Sequence, residues 1–102
     1  MVYFNLCDVK GVSTNCVVIR NLPYGYRANL YEADELIDMI LEECGEVINV
    51  KQGTRTIYGD VPVLLPVMRV WMESEEAAGV VEKKMNGREF EGRRLIVKRV
   101  PQ

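Results

Sequence analysis

The chain has 102 residues, 48 % of them apolar and 27 % charged, with a net charge of −2 and no histidine. These values describe one globular domain with a single core, and no apolar run approaches the roughly 20 residues needed to span a bilayer. They leave histidine-based catalysis without its usual group, and they argue against a domain that grips nucleic acid unaided through many phosphates.

The opening residues, MVYFNLCDVKGV, lack the basic region and long apolar stretch of a signal peptide, so an intracellular protein is expected. Residues 1–14 read as an N-terminal extension and 15–102 as the domain. Cys7, Cys16 and Cys44 are odd in number, widely spaced and form no CxxC pair. Without histidine the parts of a zinc site are missing, so neither metal nor cofactor is expected. Cys44 falls in an apolar helical pattern and reads as a buried, inert thiol.

The β-branched run Cys16 to Leu22 predicts a strand, stopped by Pro23 and Gly25. A helix follows, from Asn29 as cap (with Glu32 completing a capping box) to a stop at Gly45. Its apolar face is predicted as Ile37, Ile40, Leu41 and Cys44, with Glu35, Asp38 and Glu42 opposite. Leu36 and Met39 widen the apolar arc, which implies cover from the N-terminal arm, a second subunit or a partner peptide. EVINVKQ reads as the second strand and TRTIYGDVP as a long polar loop.

Val67 to Glu73 reads as the third strand, with Val67, Arg69 and Trp71 on one face and Met68, Val70 and Met72 on the other. Ser74 caps a second helix, EEAAGVVEKKM, with Ala78, Val81 and Met85 inward, and Asn-Gly closes it. RRLIVKRV forms the last strand and carries a local basic patch. The order β-α-β-β-α-β is an α+β, ferredoxin-like plan: a four-stranded antiparallel sheet with two helices on one face.

With VVIRNL in the first strand and MNGREFEGRRLIV at the entry to the last, the chain resembles the RNA recognition motif (RRM) family over Asn15 to Val100. Domains of that family stack single-stranded RNA on rings of the two central strands. Here the first-strand ring is replaced by Val18. In the eight-residue signature, Leu65 to Met72, Pro66 stands for glycine and Val67 and Arg69 for the rings. Trp71, one step along the same face, could form a reduced platform with Arg20, Arg69 and Lys98, or pack under the arm or a loop.

The chain is also similar to the UHM, a homology motif of splicing factors that binds a Trp-bearing peptide preceded by basic residues. That resemblance implies a pocket between the helices closed by Arg88-Glu89-Phe90, with Leu36 and Met39 beside it and Glu35, Asp38 and Glu42 meeting the basic residues. Leu36 and Ile40 stand where that variant tends to carry its acids, and the first-strand turn reads Asn-Leu-Pro where it favours Asn-Met.

The expectation is a non-catalytic, nuclear module of RNA processing, in pre-mRNA splicing, that binds a protein partner or Trp-bearing peptide. Weak RNA binding through Val18, Arg20, Val67, Arg69, Trp71 and Lys98 is the alternative, and a homodimer through Leu36 and Met39 stays open. Phe90 at the rim of an empty groove would favour peptide binding, and Phe90 buried would disfavour it. An enzyme has little support, since no glycine-rich phosphate loop or placed carboxylate pair is present.

Overall fold

A computed structural model describes residues 14–23, 25–27, 34–57, 59 and 61–101. The elements run β1 (Cys16–Arg20), α1 (Glu35–Glu43), β2 (Val47–Ile57), β3 (Val61–Met72), α2 (Glu75–Met85), β4 (Glu89–Phe90), β5 (Arg93–Arg94) and β6 (Ile96–Arg99). The main sheet has the order β2-β3-β1-β6, all antiparallel. Both helices pack on one face of it, giving the ferredoxin-like α+β plan expected from the sequence.

Alternation places Val17 and Ile19 of β1, and Met68, Val70 and Met72 of β3, on the covered face, each at most 1 % exposed. Helix α2 adds Ala78, Val81 and Met85, all fully buried as its periodicity predicts. Ser74 caps it by accepting the Ala77 N–H at 3.0 Å. Removing large apolar side chains of this kind from water contributes about 1.5–3 kcal/mol each.

The first helix departs from its predicted form. The Asn29–Glu32 capping box lies outside the described residues, and the observed cap is Asp34, which accepts from the Leu36 and Ile37 N–H groups at 3.1 and 3.2 Å. The buried face is Leu36, Ile37 and Ile40, whereas Leu41 is 41 % exposed and Cys44 half-buried. The apolar arc is thus rotated toward Leu36, which belongs to the core. Gly45 ends the helix at φ +139°, with its N–H returned to the Ile40 carbonyl at 3.2 Å.

The expected polar loop TRTIYGDVP is instead a hairpin. Thr54 to Ile57 pair with Leu64 to Val61 around a turn with Gly59 at φ +74°. Threonine reads as polar but is β-branched, so Thr54 and Thr56 suit a strand, and the ladder satisfies backbone groups that a loop would leave to water. The last strand is also broken. Arg93 and Arg94 pair with Phe90 and Glu89 in a small ribbon, and Leu95 turns inward at 1 % exposure before β6.

Candidate functional site

The residues expected to form a peptide pocket differ widely in exposure. Phe90 is 4 % exposed and belongs to the core, where it meets the Tyr26 ring edge-on at 5.5 Å and 87°. Leu36 is fully buried, Met39 is half-buried against the core, and Glu35, Asp38, Glu42 and Glu89 are exposed. The acid that does reach the turn is Glu43, which the sequence reading passed over. Its Oε1 receives Arg88 Nη1 at 2.9 Å, and the pair lowers the Glu43 pKa and raises that of Arg88.

Beneath this face, the Tyr26 hydroxyl donates to the same Asp34 oxygen that caps α1. Burial first, then that hydrogen bond, pushes the Tyr26 pKa far above a phenol's ordinary value. A folded value above the unfolded one gives stability that is intact below about pH 10 and declines as the pH rises past it. Urea unfolding at rising alkaline pH should therefore show the wild type losing stability more steeply than Tyr26→Phe. Parallel declines would contradict this.

The opposite, helix-free face of the sheet is different in kind. Pairing sets Val18 opposite Arg69 and Lys98, Arg20 opposite Val67, and Lys51 of β2 opposite Arg69. Arg20, Lys51, Arg69 and Lys98 are exposed and Trp71 is half-buried, while Val18 is only 4 % exposed. Val67, Arg69 and Trp71 share this face, as the alternation predicts.

Between β2 and β3 the face opens into a cleft of about 570 Å³, lined by Lys51, Gly53, Thr54, Val67, Arg69 and Trp71, with Gln52 and Met68 completing the wall. Its volume falls within the usual range for ligand sites. The cleft follows from an irregular register. Gln52 pairs with Met68 and Thr54 with Leu64, so Gly53 stands against three residues, Leu65 to Val67. Pro66, which has no ladder N–H, sits at the middle of that bulge. Gln52 Nε2 donates to the Leu65 carbonyl at 3.0 Å and fastens it.

Four lining residues, Lys51 to Thr54, escaped the sequence reading. Gly53 and Pro66, each inside a strand, were the available bulge signal. Among the described residues no group of three or more metal-ligating side chains occurs. Burial raises the thiol pKa of both Cys16 and Cys44, and Cys7 lies outside the described residues.

No family profile matches the chain, and no curated protein matches by sequence. Solved structures do match. The RNA-binding protein PG1 superposes with a TM-score of 0.67 at 26 % identity, over 87 % of this chain and 96 % of that one. The RRM of Rna15 with bound GU RNA gives 0.64 at 17 %, over 87 % and 85 %. The third RRM of Gbp2 gives 0.66 at 18 %, over 82 % and 73 %. The chain has the RRM fold. Within that fold, β1 and β3 are the central strands, and the cleft lies on the β2 side of them.

Proposed function

We propose that this RRM-fold domain is an RNA-processing module that binds single-stranded RNA on its sheet face. The observation that carries this is the contrast between the two faces. The sheet face offers exposed cations and a cleft beside Trp71, whereas the two-helix face spends Phe90 on its own core and Arg88 on Glu43. Cations meet phosphates and an indole can stack a base, which are the two contacts that sequence-tolerant single-strand binding needs.

With the three ring positions held by Val18, Val67 and Arg69 and a net charge of −2, binding should be weak. Micromolar affinity is expected, with a shallow salt slope of about −0.7 for each phosphate contacted. Fluorescence anisotropy with a short labelled RNA would measure both, and Arg69→Ala should weaken binding and flatten the slope by about one phosphate's share. No binding at low salt, or unchanged binding by Arg69→Ala, would count against the sheet.

A Trp-bearing peptide at the two-helix face, with a role in splicing, is the competing reading. Buried Phe90 and engaged Arg88 weigh against it, since both would have to leave present partners to receive a ring.

A further inference from the structure

The β2–β3 hairpin continues past the other strands. Strand β1 pairs with β3 only from Val67 to Trp71, so Thr54 to Ile57 and Val61 to Leu64 form a two-stranded arm, each strand with one ladder partner among the described residues. The two outer edges of the arm are unlike. On the β3 side, Pro62 and Pro66 lack the N–H that a further strand would need, a common block to strand addition. On the β2 side, VINVKQGTRTI holds no proline.

The backbone of the β2 edge turns outward at definite places. The Val50 N–H donates to Asn49 Oδ1 at 2.9 Å, so it is directed away from β3. Antiparallel ladders alternate inward and outward residues, which carries the outward set to Thr54 and Thr56. Pro62 agrees: it stands opposite Thr56, and a pair that exchanges no ladder bonds suits a residue without an N–H. Thr54, Arg55 and Thr56 are exposed. Asn49 closes the edge at one end and the Gly59 turn at the other.

The side chains along this edge define what fits it. Lys51 and Arg55 are exposed, four residues apart and on one face by alternation, and β2 contains no acid. Gly53 lies between them as bare backbone, with Val67 Cγ1 2.6 Å from where its Cβ would stand. A second copy of β2 is a poor partner, because antiparallel pairing about Gly53 would set Lys51 of each copy against Arg55 of the other.

We propose that the β2 edge docks an acidic, extended peptide segment of a partner protein as a fifth strand. Two acids four residues apart pair with Lys51 and Arg55, and a bulky apolar residue between them lies over Gly53 and Val67. Main-chain bonds to Thr54 and Thr56 supply the affinity, and the side chains supply the choice of partner. This edge is separate from RNA binding on the sheet face, although Lys51 borders both.

The probe is a labelled, end-capped seven-residue peptide: threonine, glutamate, valine, phenylalanine, valine, glutamate, threonine. Anisotropy with the full chain would measure binding, and amide hydrogen exchange would locate it. The peptide should bind and slow exchange at Thr54 and Thr56. N-methylation of the first threonine and the first valine, whose N–H groups would face β2, should abolish binding, whereas N-methylation of the phenylalanine should preserve it. Arg55→Ala, a change at an exposed side chain, should weaken binding about 2- to 5-fold, the usual worth of a surface charge pair.

No binding at millimolar peptide, indifference to the first pair of N-methyl groups, or unslowed exchange at Thr54 and Thr56 would each overturn the proposal. A short single-stranded RNA that protects those two amides as strongly as the peptide would overturn the assignment to a protein partner. Failure at the edge leaves the sheet-face reading standing, since that reading is tested at Arg69.

Discussion

Replacing Phe90 with alanine should lower the unfolding free energy by about 3–5 kcal/mol, because a buried aromatic takes its transfer energy with it and leaves a cavity behind. The ring is 4 % exposed and stands edge-on to Tyr26, whose hydroxyl in turn reaches the Asp34 cap. The loss therefore extends past the ring's own area, because Tyr26 loses the ring it packs against edge-on. Against a typical total of about 5–15 kcal/mol, such a change leaves the domain marginal. Urea unfolding followed by circular dichroism would measure it. A midpoint equal to the wild type's would mean that Phe90 stands free at a groove, as a peptide-binding turn requires. The variant therefore cannot serve as a clean probe of peptide binding, since loss of binding and loss of fold would coincide.

Leu36→Ala should cost about 2–5 kcal/mol by the same mechanism. Leu36 is fully buried and lies one turn from Ile40 on the face that α1 turns to the sheet. Its N–H is also one of the two held by Asp34, so the residue joins the start of the helix to the core. Leu41→Ala is the matched control, because Leu41 is 41 % exposed and about 0.5 kcal/mol is the usual limit at such surface sites. Equal effects at the two positions would show that the helix is rotated back to the face its periodicity predicts.

Those two residues show where the sequence was legible and where it was not. Helix α2 was readable to its ends, since Ser74 and Asn86-Gly87 are local signals that act on their immediate neighbours. The alternation of β3 from Val67 to Met72 was equally local, and it put Arg69 and Trp71 on the right face. The rotation of α1 was not local. The apolar arc is wide enough to fit two orientations, and packing against β2 and the rest of the core, not periodicity, chose the one that buries Leu36. The depth of Phe90 was hidden for a related reason. An Arg-x-Phe turn looks the same in sequence whether its ring points inward or lines a groove.

The cleft was the least legible feature. It depends on Lys51 standing opposite Arg69 and on Gly53 facing a three-residue bulge, both matters of register between strands. The polar character of Thr54, Arg55 and Thr56 masked the continuation of β2 past Gln52. Only Gly53 and Pro66 hinted at an irregular ladder, and neither reveals which residues the irregularity brings together.

The central claim is that ligand meets the sheet and not the helices, and amide chemical-shift mapping tests it most directly. The isotope-labelled chain would be titrated separately with a short single-stranded RNA and with a Trp-bearing basic peptide. RNA should move the signals of Lys51 to Thr54 and of Val67 to Trp71, and the peptide should leave Leu36 to Glu43 and Arg88 to Phe90 unmoved. Shifts confined to α1 and the Arg88 turn on adding peptide, with the sheet silent to RNA, would contradict the account.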